Sequence, residues 1–171
     1  MKHTAMTILY ELHDNLYINL TNRCPCSCTF CLRQNREDMG TSDSLWLEHE
    51  PSFEEVAAEF EKFDMSRYHE IVFCGFGEPT EALDILLQTA RFIKEHWQKP
   101  IRINTNGLGN LIHGRDITPS FEGLIDTLSI SLNTPDPQNI TGSYAPGSAK
   151  SLTTLCWNLH GTAKSMFQML C

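Results

Sequence analysis

Positive charge is scarce. Only 13 Lys and Arg stand against 21 Asp and Glu, for a net charge of -8, which disfavours a broad nucleic-acid or anionic-membrane surface. A small-molecule or peptide partner is expected instead. Long apolar runs are also missing: MKHTAMTILYELHDNLYINL holds no signal-peptide core, and nothing later approaches the ~20 residues of a membrane span. The expected compartment is therefore the cytoplasm. There is no internal repeat and no low-complexity tract, and the seven histidines show no ligand spacing. A chain of 171 residues has room for one domain with a sizeable core.

Cysteine is present but uneven. Four of the seven fall between Cys24 and Cys31, in TNRCPCSCTFC. In a reducing compartment such a set points to metal binding or catalysis rather than to a disulfide framework. Cys24, Cys28 and Cys31 form C-x3-C-x2-C. Three thiolates on one loop can each reach a different iron of a 4Fe-4S cube and leave the fourth iron open to an outside ligand, which makes Cys26 a bystander. The alternative is a zinc site using all four thiolates. Against it, ligands one residue apart crowd a tetrahedron, and zinc motifs usually come as two separated pairs.

Patterning predicts alternating strands and helices. LYINL (Leu16 to Leu20) reads as a strand running into the cysteine loop, and Gln34 to Glu50 as a polar loop. SFEEVAAEFEKF has Ser52 and Glu55 at capping-box spacing and apolar residues at helical period. EIVFC (Glu70 to Cys74) is a strand ending in GFGEP, and Glu81 to Trp97 a second helix stopped by Pro100. IRIN (Ile101 to Asn104) is a third strand with NGLGN behind it. A short helical turn near Phe121 to Leu124 leads into DTLSISLN, the fourth. This rhythm signals parallel βαβ units. In the fourth strand Leu128, Ile130 and Leu132 alternate with Ser129, Ser131 and Asn133, so one face suits helices and the other the polar mouth of an open barrel. The loops carrying Cys, Gly and Asn all follow strands, where (β/α) barrels gather their chemistry.

TNRCPCSCTFC after the first strand and CGFGEPT after the second resemble the radical S-adenosylmethionine (SAM) family. The cysteines match its C-x3-C-x2-C signature, and the glycine loop matches its GGEP motif with Phe76 in place of the second Gly. LYINLTNRCPCSCTFCLR, INTNGLGNLIHGRDITP and LIDTLSISLN are more closely similar to the small TatD-associated radical SAM proteins. The resemblance covers about Leu16 to Asp136. It implies an α/β fold, a partial (β/α) barrel cut off after about four βα units. It also implies an enzyme in which SAM chelates the open iron and is reductively cleaved to a 5'-deoxyadenosyl radical that abstracts hydrogen from a substrate, with flavodoxin or ferredoxin as electron donor. Cys24, Cys28 and Cys31 would hold the cluster. The backbone at Gly75, Phe76 and Gly77, with the Glu78 carboxylate, would meet the methionine ammonium, and Phe30 the adenine. Asn104, Asn106, Ser129 and Ser131 would meet ribose and carboxylate. Each has a plainer reading too: a G-x-G turn, an Asn-Gly turn, solvated serines, a core ring.

After Tyr144 the periodicity fades where a fourth helix and fifth strand are due. Reading from the third base of each codon permits RPRFGKESYDALLEFARDCKKYVPNVV, with an apolar helical stripe and a strand-like end, although a free wobble base makes plausible text easy to find. The expectation is a core over 1–144 followed by a non-native or frameshifted tail over 145–171, which leaves the fourth strand's edge and apolar side bare. An inactive truncated fragment, or a four-cysteine zinc or other metal-binding module without catalysis, is the alternative function.

Overall fold

The computed structural model describes residues 6–28, 31–34, 44–131 and 167–170. Their strands form one mixed sheet in which neighbours follow chain order. β1 (Leu9–Leu12) and β2 (Asn15–Ile18) make an antiparallel hairpin with Leu12 opposite Asn15, and His13 takes the positive φ of 54° that the tight turn requires. β3 (Glu70–Phe73), β4 (Ile101–Thr105) and β5 (Thr127–Ser131) follow in parallel. Among the described strands no pairing joins the first to the last, so the sheet is open.

Helix α1 (Phe53–Phe60) starts where the capping box predicts. Ser52 Oγ accepts from the Glu55 N–H, and the Glu55 carboxylate accepts from the Ser52 N–H. The second helix begins later than its periodicity suggests: Pro79–Ala82 makes a 3-10 turn before α2 (Leu83–His96). Leu83, Leu86, Leu87, Ala90 and Ile93 of α2 are buried, the stripe expected of a helix lying on a sheet. Phe92 packs against Phe53 and Phe60 and ties α2 to α1. Beneath the helices lie Leu16, Ile18, Ile71, Phe73, Ile101, Ile103 and Leu128, all in one core. The alternate strand residues face the other way; there Arg102 pairs with Glu70 at 2.9 Å, and Asn104 stands in register with Ser129.

Two expectations change. The first strand is a hairpin, because ILYEL and NLYINL each alternate on either side of His13-Asp14. The edge of β5 is not bare: Phe167–Leu170 (β6) pairs with it in parallel, Leu128 opposite Phe167, which satisfies backbone groups that an edge leaves open. Phe30, Leu132, Asn133 and most of the 145–171 tail lie outside the described residues. No helix of the described residues is long and apolar enough to cross a membrane.

Candidate metal and cofactor site

Loops leaving the ends of β2, β3 and β4 meet at one place. The β2 loop is strapped down by residues 45–50. Asn19, fully buried, donates from Nδ2 to the Leu45 carbonyl at 2.7 Å and to that of Thr7 at 3.2 Å. Asn22 and Leu47 exchange two hydrogen bonds, at 2.7 and 3.1 Å. Glu50 accepts from Thr21 Oγ1 at 2.5 Å and from Arg23 through both carboxylate oxygens, at 2.5 and 2.9 Å. Burial alone would raise the Glu50 carboxyl, but the bonds from Arg23 and Thr21 bring it below the usual range.

The β3 loop fits this one through its missing side chains. A Cβ on Gly75 would sit 2.0 Å from Asn19 Oδ1, and one on Gly77 would sit 2.2 Å from the Thr21 carbonyl and 2.6 Å from that of Arg23. The Glu78 N–H donates to that same Arg23 carbonyl at 2.7 Å. Phe76 is buried with Tyr10 and Leu45 and stands edge-on to Trp46, with ring centroids 5.2 Å apart. A large residue between two glycines is accommodated because its ring has a pocket of its own.

Glu78 joins the β3 loop to the β4 loop. It is 3% exposed. Its Oε1 accepts from the Thr80 N–H at 3.2 Å, from Thr80 Oγ1 at 2.7 Å and from Thr105 Oγ1 at 2.7 Å, and its Oε2 from the Asn106 N–H at 2.8 Å. Burial pushes the carboxyl up, more than the bonds from Asn106, Thr105 and Thr80 hold it down. Asn106 in turn accepts at Oδ1 from the Leu108 N–H at 2.9 Å. Its Nδ2 faces the sulfurs of Cys26, at 3.3 Å, and Cys24, at 3.9 Å.

Cys26 is buried with Leu108, and Cys24, Cys28 and Ile112 pack around them. The Cys31 N–H closes a turn onto the Cys28 carbonyl at 3.1 Å, and Arg33 Nη2 donates to the Cys26 carbonyl at 3.1 Å. Hydrogen bonding from Cys26 lowers the Cys24 thiol to about 6, against the opposing effect of burial. Burial raises the Cys28 thiol, and Cys24 and Cys31 add to the rise. None of Cys24, Cys26, Cys28 and Cys31 is in a disulfide. Among the described residues no three His, Cys, Asp or Glu side chains converge as a single ion would require. A cube asks for something different, one thiolate on each of three irons. Three soft thiols on one anchored loop, one of them already acidic, suit that donor set.

The three loops thus bring together Cys24, Cys28, Cys31, Gly75, Gly77, Glu78 and Asn106. Asn104, Ser129 and Ser131 lie on the polar face of β4 and β5. Asn104 Oδ1 is buried without a partner, Ser129 is buried and Ser131 exposed. Sequence reasoning overlooks Asn19, Thr21, Asn22, Glu50 and Thr105. The available signal is the polar run NLTNR directly after an apolar strand, where side chains tie a loop to its neighbours. A family model described as the Radical SAM superfamily matches residues 18–152. Compared with the curated proteins, the chain shows no significant match.

Proposed function

This chain belongs to the Radical SAM superfamily, and from that premise we propose that it is an enzyme binding a 4Fe-4S cluster through Cys24, Cys28 and Cys31, with SAM beside it. The observation that carries the reading is the placement of the C-x3-C-x2-C loop against both the glycine loop and the β4 loop, through Gly77 and Asn106. When bound, the cluster supplies the electron that cleaves the SAM sulfonium and so yields a 5'-deoxyadenosyl radical for hydrogen abstraction. The chain's own task is to hold and orient. Glu50, Asn22 and Asn19 fix the base of the cysteine loop, and Glu78 locks the β4 turn so that Asn106 keeps its place. The rim of GFGEP (Gly75, Phe76, Gly77 and Glu78) faces the methionine ammonium. Asn104, Ser129 and Ser131 offer polar groups to ribose and carboxylate, and Phe30 offers a ring or backbone contact to adenine. The resemblance of the motif stretches supports a kinship with the TatD-associated group. Its substrate is a small molecule or peptide and its electron donor a flavodoxin or ferredoxin in the cytoplasm.

A second reading, a four-thiolate zinc module without catalysis, draws on the packing of Cys26 with Cys24 and Cys28. Iron, sulfide and zinc analysis of anaerobically reconstituted protein separates the two. Cys24→Ala, Cys28→Ala and Cys31→Ala each abolish the brown chromophore on the cluster reading, whereas Cys26→Ala keeps it. A colourless parent that holds zinc, and loses that metal as completely in Cys26→Ala as in the other three variants, favours zinc.

A further inference from the structure

Cys26 is given no role by the three-ligand reading, yet it is the most buried of the four clustered cysteines, at 5% exposure. Its side chain packs with Leu108 and Ile112, both in or beside α3 (Gly109–His113) on the β4 side of the site. The Asn106 amide N–H reaches its sulfur at 3.3 Å, and that of Cys24 only at 3.9 Å. Asn106 has little freedom to point elsewhere. Its backbone N–H is held by the buried Glu78 carboxylate and its Oδ1 by the Leu108 N–H. These bonds form a continuous chain from the glycine loop through the β4 turn into the middle of the cysteine loop.

We infer that Cys26 and Asn106 are a positioning pair: the Asn106 amide, aimed by Glu78, pins the Cys26 sulfur and thereby holds the loop that carries Cys24, Cys28 and Cys31 against the β4 turn. The sulfur acts here as a buried hydrogen-bond acceptor and an apolar plug, two properties that a thiol combines. A loop anchored at its centre presents its ligands with less ordering left to do on binding, the usual gain from preorganisation. The inference rests on the three-ligand reading only in leaving Cys26 unligated. Its test therefore uses the metal-free chain.

Trypsin cutting at the Arg23–Cys24 bond measures opening of this loop, because cleavage follows the open population when closing is fast. Cys26→Ala and Asn106→Leu are each expected to speed that cut about fivefold, the effect of losing one modest hydrogen bond. The double variant should cut more slowly than the product of the two single effects, since one of the contacts each removes is shared. Cys26→Ser, whose hydroxyl still accepts from Asn106, should stay near the parent rate. Additive effects in the double variant, or Cys26→Ser cutting as fast as Cys26→Ala, would overturn the pair. If Asn106→Leu does not fold, the Ser-to-Ala comparison at position 26 decides alone. Because no metal is present, failure here leaves the cluster reading intact. Failure of that reading shows separately, as loss of bound metal from reconstituted Cys26→Ser.

Discussion

A single methyl group placed on Gly77 should loosen the cysteine loop. Its carbon would lie 2.2 Å from the Thr21 carbonyl oxygen and 2.6 Å from that of Arg23, and since both are backbone atoms no rotamer change relieves the clash. The loop has to move away by about an ångström. That strains or breaks the 2.7 Å bond from the Glu78 N–H to the Arg23 carbonyl and disturbs the neighbouring bonds to Glu50. Overpacking of this kind costs about 1–3 kcal/mol and the bond about 0.5–1.5 kcal/mol, so Gly77→Ala should lose about 2–4 kcal/mol in urea unfolding and a large part of its reconstituted iron. Gly114→Ala is the control. Gly114 caps α3 at φ 62° with nothing within 4 Å of its Cβ position, so about 1 kcal/mol of backbone strain should leave iron content untouched. A Gly77→Ala protein within about 0.5 kcal/mol of the parent and carrying full iron would refute the close approach of the two loops.

Glu78→Gln keeps one oxygen for the three donors at Oε1 but turns an amide N–H toward the Asn106 N–H. Stability should fall by about 1–3 kcal/mol and SAM affinity with it, while the cluster still assembles; unchanged SAM titration would make Glu78 a structural strut alone. The Glu50 carboxyl is depressed by Arg23 and Thr21, so its stabilisation is present above the unfolded pKa of about 4.3 and is lost as pH falls through the lower folded value. Glu50→Gln should flatten the acid limb of a urea-midpoint profile below about pH 4.3, and an identical profile would show that the Arg23 pair is fully screened. If residues after Tyr144 are out of frame, restoring RPRFG and its helix with the downstream sequence raises soluble yield and SAM cleavage. Equal yield and cleavage from both chains would show the present tail to be native.

The alternation of strands and helices was legible because each element carries its own period. The alternation from Thr127 to Ser131 and the capping box at Ser52 map onto β5 and α1. The first hairpin was harder to read, since Leu9–Leu12 and Asn15–Ile18 are separated by His13 and Asp14 without the glycine that usually marks such a turn. The cysteine spacing singled out this loop from eight residues of text. The partners that fix this loop could not be read the same way, because Glu50, Gly77 and Asn106 lie 26 or more residues from Cys24 and meet it only through the sheet order. Gly77 shows the difference clearly: sequence assigns its backbone to SAM, and the packing adds a demand for empty space beside Thr21. Cys26 looked idle for a related reason, since its contact with Asn106 spans 80 positions of chain.

SAM cleavage at a cluster bound through Cys24, Cys28 and Cys31, as proposed, has a direct test. Chain reconstituted anaerobically to about four irons, then given SAM and dithionite, should release 5'-deoxyadenosine and methionine in equal amounts, and the Cys28→Ala variant should release neither. Chain that binds zinc in place of iron, or that carries the cluster and SAM yet yields no 5'-deoxyadenosine under reduction, would contradict it.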